Sequence, residues 1–181
     1  MDLNEKTIDR TVIYNGKIVD VEIHTVTLPN GETSTRELVY HNGAVAVCAV
    51  TSENEVVLVK QFRKPIEKPL LEIPAAGKLE DNEDRIEAAK RELEEETGYI
   101  AKELTHVVDM YGSPGFCDEQ LSIYFTDNLE KGTVNLDEDE FVEIVKVPIE
   151  NIKSMLINKE IEDAKTIIAL QHLLLNYNHS N

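Results

Sequence analysis

Glu92, Glu95 and Glu96 stand at i, i+3 and i+4 within residues 77–99, which read GKLEDNEDRIEAAKRELEEETGY. Residues 84–97 are predicted to form a helix. At about 100° per residue, the three carboxylates fall inside an arc of roughly 100°, with Ala88 as their small neighbour. Like charges at this spacing repel, costing a helix about 0.2–0.5 kcal/mol per pair. A hard divalent cation would offset that cost, because Mg²⁺ takes one or two carboxylates and keeps its waters for a phosphate substrate. Ile86, Ala89, Leu93 and Thr97 make a separate, mostly apolar stripe, while Glu83, Glu87, Lys90 and Glu94 face the other way. A bare ExxEE alone is an ordinary acidic surface. The glycines and Arg91 at fixed offsets set this stretch apart.

The elements needed to position such a helix can be read on both sides of it. Residues 5–29 carry two strand-like runs with Asn15-Gly16 as a hairpin signal, and residues 33–41 a third. Residues 44–50 (AVAVCAV) and 55–63 (EVVLVKQFR) are apolar enough for buried strands. Pro65, Pro69 and Pro74 bracket a short extended approach, Leu70-Leu71-Glu72-Ile73, to Gly77. After the helix, residues 104–111, 120–126 and 141–147 read as strands, and residues 127–140 as an acidic flexible loop. Helices are expected over residues 149–157 and about 161–176, the latter with an apolar stripe of Ile167, Ile168, Leu170, Leu173 and Leu174 suited to core or dimer contact. This is an α/β sandwich with a mixed sheet.

Composition narrows the function classes. A chain of 181 residues is long enough for one domain with a substantial core. The net charge of −17 argues against nucleic acid or an anionic membrane as partner. Phosphate can be bound among so many carboxylates only with cations between them. No apolar run approaches the length of a membrane span, and the polar, acidic N-terminus does not read as a secretory signal. Cys48 and Cys117 are read as packing residues of a reduced, cytoplasmic protein.

The pattern G-x5-E-x7-R-E-U-x-E-E-x-G-U, with U a bulky apolar residue, is met at every charged and glycine position from Gly77 to Gly98. The stretch resembles a Nudix box, with Tyr99 where the family usually has an aliphatic residue. The resemblance implies an α/β/α sandwich with a mixed sheet and an additional N-terminal antiparallel sheet. Residues 1–40 would be dimer-forming strands and residues 41–181 the hydrolase domain. It implies hydrolysis of a nucleoside diphosphate linked to a further moiety, using Mg²⁺ or Mn²⁺. Glu92 and Glu96 are the implied metal ligands, with Glu95 ligating or orienting through a second metal and the backbone carbonyl of Ala76 joining them. Gly77 would give the tight turn beside it. Arg91 would orient a glutamate, and Glu83, beside the candidate N-cap Asn82, would fix the loop or take a metal role, without being a first-choice ligand.

Pro114, sixteen residues after Gly98, resembles the ADP-ribose pyrophosphatase branch of the family. That branch implies Arg36 and Glu37 at the nucleotide across a homodimer interface and Arg63 on the diphosphate. It implies Glu138 as base or third-metal ligand, with Glu140 its rival; as a plain reading, residues 137–140 are a solvated charge run. The expected reaction splits ADP-ribose into AMP and ribose 5-phosphate. The alternatives are a related nucleoside diphosphate sugar such as GDP-mannose, or a catalytically silent nucleotide-sensing module.

Overall fold

The computed structural model describes residues 2–76, 79, 83–136 and 140–176. In chain order its strands and helices are β1 (Lys6–Asn15), β2 (Val19–Thr27), β3 (Thr33–His41), β4 (Ala44–Val50), β5 (Glu55–Arg63), β6 (Lys68–Glu72), β7 (Ala75–Ala76), α1 (Arg85–Thr97), β8 (Tyr99–Ala101), β9 (Thr105–Tyr111), β10 (Gln120–Thr126), β11 (Leu129–Lys131), β12 (Val142–Pro148), α2 (Ile149–Ile157) and α3 (Ala164–Asn176). The first three make an antiparallel sheet of their own. The main sheet runs β12-β5-β4-β10-β9, with β6 added to β5 and β7 to β4. Only β4 and β10 pair in parallel within it.

Side-chain alternation along β4 and β5 explains the layers, since successive residues of a strand point to opposite faces. Ala46, Cys48, Val50, Val56 and Leu58 join Ile149, Ile152, Leu170 and Leu173 of α2 and α3 in one core. Val45, Val47, Ala49 and Val57 join Ala88, Ala89 and Leu93 of α1 in another. Helices therefore cover both faces, giving the expected α/β/α sandwich.

The sheet is split where the site lies. Strands β4 and β5 pair only beside their turn, Ala49 with Val57 and Val50 with Val56. Beyond that point they part. The widening gap takes β6 against β5 and β7 against β4, with Val47 N–H donating to the Pro74 carbonyl at 2.9 Å. The split brings Glu72 to Ala76 into the middle of the sheet.

Several expectations needed correction. The stretch expected as loop from residue 127 contains β11, which pairs with β8 as a short ribbon. Three-residue strands are too short to show alternation. Helix α3 starts at Ala164, where Asp163 accepts from Thr166 N–H at 2.9 Å, an N-cap bond that fixes the first turn. Helix α1 is capped by Asp84, whose carboxylate accepts from the Ile86 and Glu87 amides; Asn82, the expected cap, lies outside the described residues. Ile86 is exposed while Ala88 is buried. The packed stripe is therefore Ala88, Ala89, Leu93 and Thr97.

Candidate active site

Helix α1 presents its carboxylates along the sheet split. Glu96 is buried, and its Oε2 accepts from Ala75 N–H at 3.0 Å. The chain that fills the split is thus bonded to the box helix. Burial chiefly, with the charges of Glu92 and Glu140 adding to it, pushes the Glu96 carboxyl up to about 8, against the pull of the Ala75 amide. The Glu92 carboxyl is also raised, first by burial, while neighbouring Arg91 opposes the shift and Glu95 and Glu140 add to it. Buried carboxylates that also oppose one another's ionisation would be stabilised in their charged form by a cation.

Arg91 supplies part of that charge. Its Nη1 donates to Glu92 at 2.7 Å and to Glu95 at 2.8 Å. Its Nε and Nη2 donate to Glu83 at 3.2 and 3.0 Å. Burial works against its charge, yet these carboxylates hold its pKa above the ordinary range. Glu83 precedes the helix, so a wheel that set it opposite Glu92 did not apply; it meets the patch through Arg91. Among the described residues no three acidic, imidazole or thiol groups converge as a ready metal cage. The fit to a metal lies instead in the donor set, the hard carboxylate oxygens of Glu92, Glu95 and Glu96 on α1, of which Glu96 lines a cleft.

That cleft is a cavity of about 480 Å³ bounded by Arg63 and Glu72 from β5 and β6, Ala75, Glu96, Glu140 and Lys165. Of the residues singled out from sequence, the fold brings Arg63, Glu96 and Glu140 together here. Arg63 is oriented by a bidentate pair, Nε to Glu72 Oε1 at 2.6 Å and Nη2 to Oε2 at 2.7 Å. Burial opposes ionisation of Glu72, but Arg63 and Lys165 outweigh it and hold the carboxyl low. Glu140 is approached from both sides by anchored backbone. Asn135 N–H donates to the Glu95 carbonyl at 2.9 Å, and Val142 pairs with Gln61. Ala76 enters by its main chain, paired with Val45. Gly77, Glu138 and the rest of residues 137–139 lie outside the described residues.

Arg36, Glu37 and Pro114 do not line this cavity. Arg36 binds Glu5 through Nε at 2.8 Å and Nη2 at 2.5 Å, and Glu37 is exposed on β3. Pro114 lines a second hollow with Leu38, Tyr40, Tyr111 and Phe116. There β3 docks on the loop before β10, Val39 N–H donating to the Phe116 carbonyl at 2.8 Å. Sequence reasoning passed over Glu72, Asp163 and Lys165. The signal was a lone acid inside the apolar run Leu70-Leu71-Glu72-Ile73, which cannot be buried without a cation.

Residues 40–170 match the NUDIX domain. An ADP-ribose pyrophosphatase of Bacillus subtilis is 49% identical over 175 residues, 96% of this chain and 94% of that one. A methanol dehydrogenase activator of Bacillus methanolicus is 47% identical over 173 residues, 94% of this chain and 93% of its own. A crystal structure of an ADP compounds hydrolase shares the fold, with a TM-score of 0.83 at 21% identity and 98% of each chain covered. A domain match across the sheet, the box helix and the cleft agrees with relatives alike along nearly their whole length, and the chain belongs to the Nudix family of hydrolases.

Proposed function

We propose that this hydrolase splits ADP-ribose into AMP and ribose 5-phosphate with Mg²⁺ or Mn²⁺. One observation carries the reading. A cavity of about 480 Å³ sets Glu96 and Glu140 against Arg63, acids that can hold cations against a fork that can hold phosphate. The 49% identity to an ADP-ribose pyrophosphatase supports the substrate.

The proposed ligands are Glu92, Glu95, Glu96 and the carbonyl of Ala76, oxygen donors of the kind Mg²⁺ and Mn²⁺ take. When bound, the cation supplies neutralisation of the phosphate oxygens and a lowered pKa for water. Arg63 has no partner for Nη1 among the described residues, and that donor is assigned to the diphosphate. Glu140 is assigned the proton of the attacking water, with Glu138 as its rival. Arg91 holds Glu92 and Glu95 side by side, the two carboxylates that would help hold the ion.

Arg36, Glu37 and Pro114 are assigned to the nucleotide end, contributed across a homodimer built on residues 1–40. Strand β1 supports this, since Ile8, Val12, Ile13 and Tyr14 are each more than half exposed on it. The protein is expected in the cytoplasm; among the described residues no helix is long and apolar enough to cross a membrane.

A substrate panel tests the reading: ADP-ribose, GDP-mannose, diadenosine polyphosphates and NADH with Mg²⁺, scored by phosphomonoester release. ADP-ribose should be turned over fastest. GDP-mannose turned over far faster would move the protein to the nucleotide-sugar pyrophosphatases, and no turnover of any would make it a sensing module. The likeness to the Bacillus methanolicus activator supports a second reading, in which the hydrolase also activates an alcohol dehydrogenase. Dehydrogenase rates measured with and without the protein would decide that.

A further inference from the structure

Behind Arg63 lies a closed ring of hydrogen bonds and one ion pair between the end of β6 and the first turn of α3. Lys165 Nζ donates to Glu72 Oε2 and lies 3.1 Å from Asp163 Oδ2. The same Asp163 oxygen accepts from the Thr166 hydroxyl at 2.6 Å. Thr166 Oγ1 in turn accepts from Ile73 N–H at 2.9 Å, which returns the ring to the residue after Glu72. Both the backbone and the carboxylate at this point of β6 are therefore fixed to one helical turn.

Two cations meet on one carboxylate here. The Glu72 side chain is 2% exposed and that of Lys165 11%. Arg63 remains 40% exposed at the cavity rim. A buried ammonium is expensive, and a buried ion pair contributes little net stability over apolar side chains of equal volume. Such a pair is better understood by what it orients. A bidentate pair makes the guanidinium coplanar with its carboxylate, so a carboxylate pinned from behind dictates the plane of the fork in front.

We propose that Lys165 is a positioning residue for the diphosphate, which pins Glu72 so that Arg63 meets the substrate in one orientation. Lys165 acts through Arg63 and does not touch the substrate. The inference rests on the assignment of Arg63 to the diphosphate, and the experiment separates the two.

The variants are Lys165→Met, Lys165→Arg, Glu72→Gln, Arg63→Gln and the Arg63→Gln/Lys165→Met pair, assayed for kcat and KM on ADP-ribose with saturating Mg²⁺, with Tm recorded for each. Lys165→Met should raise KM about tenfold with kcat within about threefold, and Lys165→Arg should recover most of the loss. Arg63→Gln should raise KM at least as much, and the double variant should be no worse than Arg63→Gln. Losses that multiply in the double variant would mean Lys165 contacts substrate directly and would overturn the proposal. A lower Tm with unchanged KM would reduce Lys165 to a strut and overturn it too. Should Lys165→Met not fold, Glu72→Gln, which keeps the shape, must still raise KM. If Arg63→Gln leaves KM unchanged, the assignment of Arg63 itself is wrong. If only the Arg63 variant raises KM, that assignment stands and the pinning role falls.

Discussion

Glu96 carries opposite demands. Its burial and the nearby charges of Glu92 and Glu140 favour the neutral acid up to about pH 8, whereas the ligand role proposed for it needs the ionised form. Cation binding at pH 7 should therefore expel about one proton. Titration calorimetry in two buffers of different ionisation enthalpy would measure it, and a heat independent of buffer would argue against Glu96 as the titrating ligand. The sign for stability follows. A carboxyl raised from its ordinary 4.5 to about 8 in the fold costs nothing below the lower value, and the metal-free protein loses stability as pH rises between the two. Mg²⁺ should reverse that loss. Removing the ligand charge with Glu96→Gln should lower kcat about a hundredfold; an unchanged rate would take the helix patch out of the metal site.

At the scale of elements, α1 is tied to the sheet by Arg85 as well as by its apolar stripe. The Arg85 Nη1 donates to Ser122 Oγ at 2.9 Å and to the carbonyls of Ala44 and Gln120, bridging β4 and β10. Room for the guanidinium depends on Gly43, which has φ +88° and where a Cβ would come within 2.8 Å of Arg85 Nη2. Gly43→Ala should destabilise the protein by about 1–2 kcal/mol, through backbone strain and the displaced clamp, and urea unfolding would show it. What could be read from sequence follows the range of the signal. The box helix, the β4 and β5 runs and the Asn15-Gly16 hairpin are written in neighbouring residues, and each formed as expected. The Glu72–Lys165 contact joins positions 93 apart in sequence. Nothing local marks Lys165 as more than a charge on an amphipathic helix. The position of Glu83 could not be read for a related reason, because a helical wheel does not extend past the Asp84 cap.

The whole molecule combines a net charge of −17 with a cavity whose cations, Arg63 and Lys165, are drawn inward onto Glu72. The proposed anionic substrate would meet little attraction outside the cleft, so on this proposal its capture would depend on a bound cation and the oriented fork. In the proposed homodimer the exposed apolar side chains of β1 would be covered by a second copy. Light scattering should give twice the chain mass, and Val12→Lys with Tyr14→Ser should give monomers with weakened ADP-ribose binding. A dimer unaffected by those changes would place the interface elsewhere. The parallel pairing of β4 with β10, Ala44 beside Leu121 through to Ala49 beside Thr126, also sets an order in time. The box helix belongs to the connection between these two strands. Its carboxylates cannot reach their final places until the chain has doubled back and closed that long loop. Non-local closure of this kind is slow, on the order of milliseconds to seconds. After dilution from denaturant, helical signal should return first and hydrolysis only with the last kinetic phase. Newly made chains would then spend an interval with their central strands unpaired and exposed before they gain any activity.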